Sequence, residues 1–84
     1  MKKKKIAIVD YKLNNLFSIK NALMSLNFQA EITSDPEKIR KSEGLVLPGV
    51  GAFPEGMRKL KNLNLIEPIK NFIKTKKPFL AICL

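Results

Sequence analysis

Three short runs of consecutive apolar residues constrain this chain more than any other feature. Ile6-Ala7-Ile8-Val9, Gly44-Leu45-Val46-Leu47 and Pro78-Phe79-Leu80-Ala81-Ile82 are too short for buried helices and show no alternation with polar residues. That is the pattern of a strand covered on both faces, as in a parallel sheet. Between Phe28 and Thr33 the apolar positions alternate instead (Phe28, Ala30, Ile32), which predicts a further strand. The intervening segments change period. Leu13, Leu16, Ile19, Leu23 and Leu26 recur every three or four residues, giving one apolar helical face with Asn14 as a candidate N-cap. Ser34-Asp35-Pro36-Glu37 is a helix start with proline in the first turn, and the helix it opens is short. Phe53, Met57 and Leu60 hold helical spacing, as do Leu65, Ile66, Ile69, Phe72 and Ile73, with Asn62, Asn64 and Pro68 marking the join. Strands alternating with helices predict βαβ units, right-handed crossovers and a mostly parallel sheet.

Composition excludes several chemistries. With Cys83 as its one cysteine and no histidine, the chain can form no internal disulfide, lacks the ligands of a structural zinc site and has no histidine base. The net charge of +9 from 16 basic and 7 acidic residues invites a nucleic-acid reading. Apart from Lys2–Lys5, however, the charges are scattered along helical segments, and the five Phe sit where a core would want them. Charge of that kind supplies only salt-sensitive, non-specific affinity. The apolar run after Lys2–Lys5 is cut by Asp10 after four residues, short of a secretory core, and nothing approaches a membrane span. The expectation is a cytoplasmic protein with a reduced thiol.

In open α/β sheets ligands bind beyond the carboxyl ends of the strands. Three places qualify: Asp10-Tyr11, Pro48-Gly49-Val50-Gly51 and Cys83-Leu84. The glycine-containing loop could turn backbone N–H groups toward an anion or oxyanion, or serve only as a strand-to-helix turn. Cys83 could be a nucleophile whose thiolate is favoured by a following helix N-terminus, or simply a buried space-filler. Asp10 could bind a ligand or hydrogen-bond its own loop. An apolar strand ending in Cys83-Leu84 should lead into a covering helix, so the chain reads as the front part of a longer domain.

Together these residues resemble one family, the glutaminase subunit of imidazole glycerol phosphate synthase, a class I glutamine amidotransferase. Ile6–Tyr11 with Asn15-Leu16-x-Ser18 resembles its opening strand and helix. Leu47-Pro48-Gly49-Val50-Gly51-Ala52-Phe53, continued by Glu55-Gly56-Met57, resembles its oxyanion segment, and Ala81-Ile82-Cys83-Leu84 the start of its nucleophile turn. The resemblance spans essentially the whole chain. It implies a flavodoxin-like three-layer α/β sandwich, of which residues 1–84 form the amino-terminal part, truncated after the strand leading to the nucleophile.

The resemblance also implies roles. Cys83 would attack the side-chain amide carbon of glutamine. The N–H groups of Val50 and Leu84 would form the oxyanion hole after a flip of the Gly49–Val50 peptide, and Gly51 would lie against glutamine. Asn15 would face a (β/α)₈ barrel partner that takes up the ammonia in a heterodimer serving histidine biosynthesis. No cofactor, metal, nucleic acid or membrane is implied. The family's His and Glu lie beyond these 84 residues, so the chain alone is expected to be inactive. Lys12 and Asn14 stand where the family carries glycines, and Ala81 replaces a glycine. The altered first loop keeps open a paralogue serving amidation of bacterial surface sugars, and a non-enzymatic flavodoxin-like module is the remaining alternative.

Overall fold

The computed structural model describes residues 3–11, 16–49 and 53–82. The elements run β1 (Lys5–Val9), α1 (Leu16–Ser25), β2 (Gln29–Thr33), α2 (Pro36–Lys41), β3 (Gly44–Pro48), α3 (Phe53–Asn62), α4 (Ile66–Lys74) and β4 (Phe79–Ile82). The strands form one sheet in the order β2-β1-β3-β4, every neighbouring pair parallel. This is the strand order with which a flavodoxin-like doubly wound sheet begins.

Side-chain alternation divides the core into two layers. Ala7, Val9, Leu45 and Leu47 face Ile39 of α2, Leu60 of α3, and Ile69 and Phe72 of α4. Ile8, Ala30 and Val46 face Leu16, Ile19 and Leu23 of α1. β1 buries Ala7, Ile8 and Val9 in succession, and β3 buries all five of its residues, because these two central strands are covered from both sides. That is the physical reason their sequences carry no polar alternation.

Local signals place the helix ends. The Asp35 carboxylate accepts the Glu37 N–H at 2.9 Å, and Pro36 occupies the first turn, where its missing N–H costs nothing. Asn27, Asn64 and Lys76, each just beyond a helix, take left-handed backbone conformations. Lys77 ties two connections together: its ammonium donates to the carbonyls of Arg40 and Ser42 at 3.0 and 2.7 Å and lies 4.8 Å from the centre of the Phe72 ring. Other charges pair across exposed surface, Lys38 with Glu31 at 2.9 Å and Arg40 with Glu37 at 2.8 Å, where each pair adds little stability. No helix among the described residues is long and apolar enough to cross a membrane.

Three expectations need correction. Leu26 lies past the end of α1 and is 68% exposed, because the chain turns there through Asn27 toward β2. Phe17 is 71% exposed, so the phenylalanines are not uniformly core residues: it follows Leu16 on α1 and points away from the sheet. Finally, β4 is not buried like β1 and β3. It pairs with β3 alone among the described strands, and Leu80, in register with Val46, is 56% exposed because α1 covers the sheet over β1 and β2. Asn14 and Leu13 lie outside the described residues. With this much apolar surface uncovered, residues 1–84 alone should melt without a cooperative transition in a calorimetric scan; a sharp two-state transition would contradict this.

Candidate functional site at the carboxyl rim of the sheet

Because all strands are parallel, all their carboxyl ends lie on one rim, and the order β1-β3-β4 makes three of them immediate neighbours. The sequence alone did not require that adjacency. β1 connects through α1 to β2 on one side, whereas β3 continues to β4 on the other. The rim between β1 and β3 is therefore a topological switch point, the crevice in which such sheets bind ligands.

The end of β3 is held from both sides. Pro48 pairs with Ile82 of β4, and the Gly49 N–H donates to the Ile82 carbonyl at 2.6 Å. Across the same trans peptide, the Pro48 carbonyl faces the β1 side. Among the described residues the β1–β3 ladder reaches only Ile8–Val46 and stops short of that carbonyl. The phenol of Tyr11 donates to it instead. Tyr11 is fully buried, and its desolvation pushes the phenol above its ordinary pKa, which keeps the proton in place for donation. An unpaired buried carbonyl would cost about 1–3 kcal/mol, so this bond matters to the fold as well as to the loop. Gly49 itself has φ of 73°, a left-handed conformation that side chains disfavour.

The first strand's end is fixed separately: the Asp10 N–H donates to the Thr33 carbonyl at 2.9 Å, continuing the β1–β2 ladder by one residue. Among the described residues no group of three or more His, Cys, Asp or Glu is gathered as a metal ion would require.

Of the residues singled out in the sequence, Gly49 is described and lies at the rim. Val50, Gly51, Cys83, Leu84 and Asn15 lie outside the described residues. Gly49, which precedes Val50 in the sequence, is hydrogen-bonded to Ile82, which precedes Cys83. Tyr11 was noted only as part of a strand-end pair, and its role was missed. The signal was present in the alternation Ala7, Val9, Tyr11, which continues one face of β1 past the strand end and into the core.

No protein-family model matches the chain. Comparison with curated proteins gives a consistent answer. HisH 1 of Legionella pneumophila strain Paris, an imidazole glycerol phosphate synthase subunit, is 49% identical over 79 residues, 94% of this chain. HisH 2 of Methanococcus maripaludis is 50% identical over 80 residues, and HisH of Rhodopirellula baltica 48% over 79. The chain is a relative of HisH. It spans 37%, 40% and 38% of the lengths of these three HisH proteins.

The left-handed backbone at Gly49 gives a direct test. In the full reading frame that carries this chain, Gly49→Ala should lower the unfolding free energy by about 1–2 kcal/mol, the ordinary cost of that conformation for a residue with a Cβ. Urea denaturation measures it, and an unchanged stability would show that the positive φ is not held in solution.

Proposed function

We propose that this chain forms the opening part of a glutamine amidotransferase subunit that hydrolyses glutamine to glutamate and passes the ammonia to a (β/α)₈ barrel synthase subunit. The observation that carries this reading is the bond from Gly49 to Ile82. It ties the start of the Pro48-Gly49-Val50-Gly51 segment to the residue before Cys83, in a chain about half identical to HisH.

In this reading the Cys83 thiolate attacks the amide carbon of glutamine, the C–N bond breaks with protonation of the departing ammonia, and water hydrolyses the thioester to glutamate. The oxygen of the tetrahedral intermediate is held by the N–H groups of Val50 and Leu84. Such donors are worth about 10²–10³ in rate each, because they are aimed in advance at the developing charge. Gly51 contacts glutamine, and Asn15 faces the barrel. The base and its orienting carboxylate come from His and Glu outside these 84 residues, and the chain alone is inactive. The barrel joins the ammonia to a phosphoribulosyl intermediate, yielding imidazole glycerol phosphate for histidine biosynthesis in the cytoplasm. No resident cofactor takes part.

A second reading is favoured by one feature, Lys12 and Asn14, which stand where the resembled family carries glycines. There the partner is a barrel homologue and the ammonia goes to a bacterial surface sugar.

The test is glutamine hydrolysis by the full reading frame with each barrel in turn. Stimulation by the histidine-pathway barrel, lost at least about a thousandfold in Cys83→Ala, is the expected result. Stimulation only by the surface-sugar barrel would select the second reading. Hydrolysis with neither, in a folded protein, would contradict both and leave a non-enzymatic flavodoxin-like module.

A further inference from the structure

We infer that Tyr11 is a positioning residue for the oxyanion segment: it clamps the Pro48–Gly49 peptide and so fixes the point from which that segment leaves β3. The inference rests on the amidotransferase reading for its catalytic consequence, while the clamp itself stands on geometry.

A peptide unit is rigid and planar, so it turns only as a whole about the axis joining its two Cα atoms. Here both polar ends of one unit are engaged. The carbonyl of Pro48 accepts from the Tyr11 phenol on the β1 side, and the N–H of Gly49 donates to Ile82 on the β4 side. Turning this unit would break both bonds at once. Pro48 adds stiffness upstream, since its ring fixes φ. The first freely adjustable torsions therefore belong to Gly49, which already holds a positive φ.

The clamp is itself well supported. The Tyr11 ring is fully buried in the layer shared with α2, α3 and α4. It passes beneath α3 at Gly56, where an added Cβ would lie 3.6 Å from Cε2 and 3.9 Å from the phenolic oxygen, ordinary contact distances. The ring thus has a fixed seat, and its hydroxyl reaches the carbonyl from a rigid base. An oxyanion donor must be placed within a fraction of an ångström to be effective, so a fixed Pro48–Gly49 peptide favours accurate placement of the donor proposed to follow it.

The test uses the full reading frame, with Tyr11→Phe removing only the hydroxyl. Amide hydrogen exchange should rise about tenfold at Gly49 while Leu45, bonded to Pro78 on the same pair of strands, keeps its protection. With the barrel partner present, kcat for glutamine hydrolysis should fall about tenfold and KM stay within about twofold. Gly56→Ala, which touches the ring and spares the hydroxyl, should retain the wild-type kcat. Should Tyr11→Phe fail to fold, a fluorinated tyrosine placed at position 11 keeps the ring and ionises at a lower pH than tyrosine does in the same buried seat. Its kcat should then fall reversibly as pH rises through that ionisation, in a range where the wild type is unaffected.

Unchanged exchange at Gly49, or unchanged kcat in an active enzyme, would overturn the inference and leave the amidotransferase reading standing. So would a uniform loss of protection at Gly49 and Leu45 alike. A wild type without glutamine hydrolysis would instead overturn that reading, with the Gly49 exchange deciding the clamp by itself.

Discussion

A buried peptide group must find partners for both its N–H and its carbonyl, and at the end of β3 this requirement organises the rim of the sheet. The ladder with β1 stops at Ile8–Val46, two residues before the strand itself ends at Pro48. There the last carbonyl accepts from the phenol of Tyr11, and the last N–H finds Ile82 because β4 lies beside β3 in parallel register. The strand order, the length of β3 and the burial of Tyr11 are thus parts of one arrangement. Loss of either partner would leave a buried polar group unpaired, at about 1–3 kcal/mol.

That arrangement explains why one rim can host the chemistry proposed for a relative of HisH. Nucleophilic attack on an amide needs a nucleophile and oxyanion donors brought together from distant parts of the sequence. A parallel sheet answers that need, because adjacent strands bring their carboxyl ends together without any contribution from the loops. Residues 34 positions apart in sequence, Pro48 and Ile82, become register partners. Loops at such a rim can then supply chemistry from a fixed base, which is the general division of labour in folds of this type.

Much of the fold was legible in the sequence because burial leaves a strong pattern. Ile6–Val9 and Gly44–Leu47 read as two-sided strands and are. Asp35-Pro36 read as a helix start, and the Asp35 side chain caps α2. Phe17 and Leu26 misled because apolar type alone does not fix the direction a side chain takes: helix rotation puts Phe17 outside, and termination of α1 removes Leu26 from its stripe. The exposure of β4 was likewise hidden, since Phe79-Leu80-Ala81-Ile82 is as apolar as the central strands, and only the sheet order shows that β4 has a single neighbour among the described strands. At the site, the motif around Pro48–Gly51 pointed to the rim. The hydroxyl that holds it came from a residue 37 positions away, a pairing that no local pattern encodes.

The most direct test of this account is a crystal structure of the full reading frame carrying Cys83→Ala with glutamine bound. The account predicts glutamine at the carboxyl ends of β3 and β4, its amide carbon facing position 83. The Pro48–Gly49 peptide should still be bonded to both Tyr11 and Ile82. Glutamine bound away from this rim, or a Pro48–Gly49 peptide turned out of both bonds in the complex, would contradict it.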